Sequence, residues 1–188
     1  MARLRPCRCV AKLAGRTPRS GQGAESQLNR MKENPQMLLL IGAPGSGKST
    51  FAKSFLRTET HWMRLCRDDF RMMNFNGSVM SPYEEFLITG MIDASIETLL
   101  HNRCSVLLDA THCRAGYLNH YIGKFNAMAD ISFKLFECET DELIARCERR
   151  RAETGRHVPE NIIRRFVDEL ETLKKTFDFS PRPMKQTT

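Results

Sequence analysis

The sequence predicts an α/β fold: a parallel sheet of about four strands, flanked by helices. Two observations carry this. From Met37 onward short apolar runs alternate with segments of helical period, as in successive βαβ units. The first apolar run also passes straight into a glycine-rich stretch that opens a helix, which is the layout of a phosphate-binding loop.

Strand one is expected at residues 37–41, wholly apolar and therefore buried on both faces between helices. A helix follows at about 48–56, and a second strand at 62–66. After a loop carrying Gly77, Ser81 and Pro82, a long helix is expected at about 83–100, with Phe86, Leu87, Met91, Ile96 and Leu99 or Leu100 near one side. Strand three is placed at 105–108, a helix at about 115–129 and strand four at 131–137. Two charged amphipathic helices, at about 141–151 and 160–174, close the pattern. One domain is thus expected over 37–179, with a basic, unstructured leader at 1–36 and a frayed tail at 180–188.

The net charge of +7 is concentrated at one end. Residues 1–30 hold seven cations against the single anion Glu25, so that segment is +6 and the other 158 residues are only +1. A basic arm can grip nucleic acid, but Gly15, Pro18, Gly21 and Gly23 break any apolar period. Unstructured leader, transit peptide and a true start at Met31 or Met37 all remain open for this stretch. No apolar run reaches the length of about 18 residues needed to span a membrane. The seven cysteines are odd in number and lack zinc-ribbon spacing, so they read as reduced thiols of a cytoplasmic protein.

Gly42-Ala43-Pro44-Gly45-Ser46-Gly47-Lys48-Ser49-Thr50 matches GxxxxGK[ST] between a buried strand and a helix start. Gly42, Gly45 and Gly47 let the backbone curl with its N–H groups, that of Ser46 among them, toward phosphate oxygens at the positive end of the helix. Lys48 can neutralise the β- and γ-phosphates of ATP, and the Ser49 hydroxyl can complete a Mg²⁺ shell, with Thr50 a secondary contact.

The loop alone does not separate a kinase from other nucleoside triphosphatases. No Asn-Lys-x-Asp guanine-reading element is present, and 188 residues are too few for an oligomeric motor with its added helical domain. Strand two leads into Arg67-Asp68-Asp69-Phe70-Arg71, at the carboxyl end of a parallel strand where open α/β sheets bind ligands. A carboxylate beside an arginine stays ionised and oriented, as a base for a hydroxyl acceptor must be. Asp68 or Asp69 can equally cap a helix. Asp109, at the end of strand three, stands where an acidic group faces Mg²⁺, or serves as a turn residue.

With these motifs in view, residues 37–173 resemble the kinase domain of the bacteriophage-type 5′-hydroxyl polynucleotide kinases, within the P-loop kinases. The glycine-rich loop, Arg67 to Arg71, Thr89-Gly90-Met91 and the run from Ser105 to His112 carry the resemblance. It implies that Asp68 is the general base for the 5′-hydroxyl and that Arg71 orients Asp68 and contacts the acceptor phosphate. Lys48 and Ser49 would hold the donor phosphates and Mg²⁺, and Thr111 would lie beside the acceptor. His112 and Cys113 depart from the family, which more often has Asn and an apolar residue there. His112, alone in a loop, is expected to be solvated unless it touches the acceptor.

Arg146-Cys147-Glu148-Arg149-Arg150-Arg151, followed by Arg156-His157-Val158-Pro159, is the densest positive run of the predicted domain. Arg146 and Arg150, four apart, share a helix face and can close over a nucleotide as a lid. The resemblance places a catalytic arginine here, with Arg150 nearest by spacing and Arg149 a rival. Phe70, Phe75 and Tyr83 can stack on an acceptor base or pack in the core, and Trp62 is assigned to packing.

The leading expectation is an ATP- and Mg²⁺-dependent kinase acting on the 5′-hydroxyl end of DNA or RNA. A kinase of a small metabolite or nucleoside, favoured by the near-neutral core, and a non-catalytic nucleotide-binding module stand beside it. No membrane partner is expected.

Overall fold

The computed structural model describes residues 34–59, 61–75 and 80–185. The leader up to residue 33, Cys7, Cys9 and Gly77 lie outside the described residues. Four strands, β1 (Gln36–Ile41), β2 (Trp62–Cys66), β3 (Ser105–Asp109) and β4 (Asp130–Leu135), form one parallel sheet in the order β2-β3-β1-β4. Six helices accompany them among the described residues: α1 (Lys48–Thr58), α2 (Arg67–Phe75), α3 (Pro82–His101), α4 (Ala115–Phe125), α5 (Thr140–Thr154) and α6 (Glu160–Thr176).

β1 is apolar from Met37 onward because both of its faces are covered there. Met37, Leu39 and Ile41 pack with Ile88, Ile92 and Ile96 of α3 and Leu118 and Phe125 of α4. Leu40 meets Leu107 and Ala52 of α1 on the other face, where Phe55 and Trp62 stack edge to face at 5.0 Å. Each fully buried side chain of this size contributes about 1.5–3 kcal/mol through removal from water. In register, Leu40 pairs with Asp109 and Asp109 with Cys66. The carboxyl ends of β1, β2 and β3 therefore lie side by side, and the segments that follow them open on one edge.

Four expectations need correction. Residues 67–75, left between a loop and a helix capped by Asp68 or Asp69, form α2 directly after β2; it starts at Arg67, so both aspartates lie in its first turn, and with no fully buried residue it shows no clear apolar period. The buried row of α3 is Ile88, Ile92, Ile96 and Leu100, while Phe86 is 71% exposed. Apolar residues lie all round this helix, so periodicity could not single out its core face; its start, by contrast, is fixed by a capping box between Ser81 and Glu84 with Pro82 in the first turn. The leader boundary shifts slightly, since β1 begins at Gln36. The tail does not fray through residue 185: Arg182 and Ile131 exchange two backbone hydrogen bonds, and the Met184 amide donates to Asp130 Oδ1. These residues use an open edge of β4, and Pro181 and Pro183, which lack amide protons, limit the pairing to one bridge.

Candidate active site

The loop between β1 and α1 leads into Gly47, which precedes the helix with φ 94°. α1 has no side-chain cap and no acidic residue in its first turn, so its N-terminal amides are left for an anion. Gly45 (φ 84°) lies on α5 so closely that a Cβ would stand 3.0 Å from the Leu143 carbonyl oxygen and 3.1 Å from Cys147 Sγ. The Gly42 amide donates to the Thr111 carbonyl at 3.0 Å, tying the loop to the segment after β3. Ser46 is buried and Ser49 and Thr50 are exposed. Lys48 is buried with its Nζ donating to the carbonyls of Gly42 and Ala43, both at 2.8 Å, and to Ser46 Oγ at 3.2 Å. Burial pushes its pKa down to about 8, against the pull of the Asp109 and Asp68 carboxylates.

On the second side of the site, α2 starts at the end of β2 and sets Asp68 and Arg71 on neighbouring positions of one face. Arg71 donates to Asp68 Oδ1 at 2.8 Å and to Glu85 Oε1 at 2.7 Å. Glu85 of α3 takes Arg67 on its other oxygen, and Arg67 also donates to Thr89 Oγ1 at 2.8 Å. The second oxygen of Asp68 receives Arg156 from beyond α5. Burial alone would raise the Asp68 pKa, but Arg156 and Arg71 outweigh it and hold the carboxyl below its usual range. Three guanidiniums thus surround two carboxylates, a surplus of positive charge suited to a phosphate-bearing ligand.

Asp109 is 3% exposed, and Arg64 donates twice to its Oδ2, at 2.9 and 2.7 Å, while also reaching Asp69. Asp69 is thereby occupied away from Asp68. His112 is buried, which corrects the expectation of a solvated ring. Its Nδ1 lies 2.9 Å from the Leu40 carbonyl, its ring meets Tyr121 edge to face, and burial pushes its pKa down to about 4. A neutral His112 therefore donates from Nδ1 to that carbonyl. Its φ of 46° is left-handed, a conformation in which Asn and His are enriched, which explains the exchange of one for the other at this position.

On α5, the face toward the loop carries Leu143, Cys147 and Arg150, whereas Arg149 is exposed. Arg150 lies in the field of Lys48, and its Nε is buried without a hydrogen-bond partner among the described residues. Arg146 pairs with Glu142 at 2.7 Å and only grazes the Gly45 carbonyl at 3.5 Å. Phe70 and Phe75 pack against the core, and Tyr83 is exposed.

The sequence did not single out Arg64 or Glu85 for the site, and it named Arg156 only within the positive run, not as a partner of Asp68. A cation inside a strand expected to be buried demands a partner, so Arg64 carried a signal. Glu85 did not, since an acidic residue in the first turn of a helix is ordinary.

A family model described as an AAA domain matches residues 37–173. The chain belongs to this AAA domain family. Its fold is that of the P-loop kinases, and its loop carries the family's capacity to bind nucleotides. Among solved structures, a chain of the Pnkp1/Rnl/Hen1 RNA repair complex is 46% identical, with 83% of this chain and 51% of that chain covered and a TM-score of 0.77. A second structure of the Pnkp1/Rnl/Hen1 complex gives 42% identity, 82% and 47% coverage and a TM-score of 0.67. The chain thus spans about half the length of these two relatives. A gluconokinase from Sinorhizobium meliloti 1021, at 17% identity, 83% and 86% coverage and a TM-score of 0.52, shares the fold. No described helix is long and apolar enough to cross a membrane.

Proposed function

We propose that the chain is an ATP-dependent kinase that transfers the γ-phosphate to the 5′-hydroxyl end of DNA or RNA, in nucleic-acid end repair. The observation that carries this reading is the meeting of the two halves of the site: the ammonium of the glycine-rich loop, Lys48, lies in the field of Asp68, the carboxylate gripped by Arg71. The likeness to a chain of an RNA repair complex supports a nucleic-acid acceptor.

Asp68 accepts the proton of the 5′-hydroxyl as its oxygen forms the new bond to the γ-phosphorus. The bond from that phosphorus to the β–γ bridging oxygen breaks, and its electron pair leaves on the β-phosphate. Arg71 orients Asp68 and contacts the acceptor phosphate, and Thr111 lies beside the acceptor. The amides of Gly45 and Gly47, with Lys48 and Thr50, cradle the donor phosphates, while the amides of Gly42 and Ser46 are engaged by the carbonyls of Thr111 and Ala43 and hold the loop in shape. Arg150, with its unpartnered Nε, is the lid arginine that meets the charge growing on the bridging oxygen, and Arg146 supports it.

Hard oxygen donors fit Mg²⁺. The exposed hydroxyl of Ser49 and the carboxylate of Asp109, whose bonds from Arg64 both fall on Oδ2, are the residues that would hold it. When bound, the ion supplies charge neutralisation at the phosphates.

The test is transfer of labelled γ-phosphate from ATP to 5′-hydroxyl DNA and RNA oligonucleotides, with Lys48→Ala and Asp68→Ala as controls. Transfer abolished by both substitutions is the expected result. No transfer from a folded wild type that still binds ATP overturns the reading and points to a small-molecule acceptor.

A further inference from the structure

Asp68 and Arg67 are adjacent but reach different places. Asp68 joins Arg71 and Arg156, whereas Arg67 passes on the far side of the Glu85 carboxylate to Thr89. There a cleft of about 330 Å³ opens between α3 and the start of α4, lined by Arg67, Thr89, Arg114, Gly116, Tyr117 and His120 among others. That volume is at the lower end of the range for small-ligand sites.

The chemistry of the cleft is specific. Tyr117, in the first turn of α4, is 49% exposed and lines the cleft. Gly116 beside it lines the cleft without a side chain. Arg67, Arg114 and His120 are each anchored from behind, by Glu85, Glu169 and Asp93. Among the described residues no carboxylate lines the cleft itself. It therefore offers an aromatic wall and fixed N–H donors, the combination that holds a base and a phosphate of a single strand.

We propose that this cleft binds the second nucleotide of the acceptor, counted from the 5′-hydroxyl, with its base against Tyr117 and its 3′ phosphate toward Arg67 and Arg114. The inference rests on the polynucleotide reading of Asp68. A strand whose first sugar sits at Asp68 continues past the Arg67–Glu85 pair into the cleft that Arg67 lines. The cleft then favours a polymer over a nucleoside without enclosing its end in a pocket.

The test compares a nucleoside 3′-phosphate with the dinucleotide that extends it, as acceptors for the wild type, Tyr117→Ala and Tyr117→Phe. The shorter acceptor already carries the first linkage phosphate, so the difference isolates the second nucleoside. The wild type is expected to show a KM for the dinucleotide lower by on the order of tenfold, the effect of one stacked base. Tyr117→Ala should bring the two KM values together, with the loss falling on KM, and Tyr117→Phe should keep them apart. Equal KM values in the wild type, or a gap that survives Tyr117→Ala, overturn the subsite and leave the kinase assignment standing. A wild type that transfers to neither acceptor, nor to a longer oligonucleotide, overturns the assignment itself.

Discussion

Arg156 and Asp68 form an ion pair across the mouth of the site although 88 residues separate them in the chain. Arg156 follows Gly155, whose left-handed conformation (φ 73°) ends α5. The two side chains are 45% and 40% exposed, so the pair contributes at most about 1 kcal/mol to stability. Its significance is positional. A guanidinium that rests on one carboxylate is drawn to a phosphoryl group, which carries more charge and more acceptor oxygens. On the proposed function, exchange of Arg156 from Asp68 to phosphate would free Oδ2 for the acceptor hydroxyl and would add a cation where the γ-phosphate moves.

Arg156→Ala is therefore expected to lower kcat by at least about tenfold, as for other phosphate-clamping arginines, and Arg156→Lys to recover part of it. The same change removes one of the two cations that hold the Asp68 pKa down. Since the depressed pKa keeps Asp68 ionised to lower pH, its loss should move the acid limb of the kcat/KM profile to higher pH. An unchanged kcat would reduce the contact to a resting-state pairing.

Lys48 leads to a second expectation. With its pKa at about 8, a good part of the side chain is neutral at pH 8.5, whereas phosphate oxygens favour the charged form. ATP binding at pH 8.5 should therefore take up protons, and at pH 6.5 it should not. Titration calorimetry in buffers of different ionisation enthalpy measures this directly. Lys48→Arg, charged at every pH used, should abolish the uptake. Uptake that persists in this variant would assign the proton to another group.

Much of this was legible in the sequence, and the remainder failed for physical reasons. β1 and the loop after it were readable because a strand buried on both faces must be apolar and a phosphate cradle must be glycine-rich. α2 showed only as a helix start at Asp68 or Asp69, because its core contacts, Phe70 and Phe75, are five residues apart and ion pairs to Glu85 and Arg156 hold the rest. Long-range pairs of this kind leave no local period. Which of Arg149 and Arg150 lies on the side of α5 that meets Gly45 is a matter of helix rotation that adjacent arginines do not encode. His112 was misjudged because loop position suggests solvent, whereas the segment after β3 runs beneath the glycine-rich loop, tied there by Thr111 and Gly42.

That burial makes His112 a determinant of acid stability. In the unfolded chain its pKa returns to about 6.5, whereas in the fold it is about 4. Between these values the unfolded state binds a proton that the native state refuses. The contribution of His112 is therefore fully present above pH 6.5 and falls as pH drops toward 4, by roughly 3 kcal/mol in total. His112→Asn keeps a side-chain donor for the Leu40 carbonyl and tolerates the left-handed φ, but cannot titrate. Urea unfolding at pH 7 and pH 4.5 should show a smaller loss of stability for this variant than for the wild type. His112→Ala, which orphans a buried carbonyl two residues before Gly42, should be weaker at both pH values. Equal losses in wild type and His112→Asn would mean that the ring is already free to protonate in the native state, and that the loop is braced by Thr111 alone.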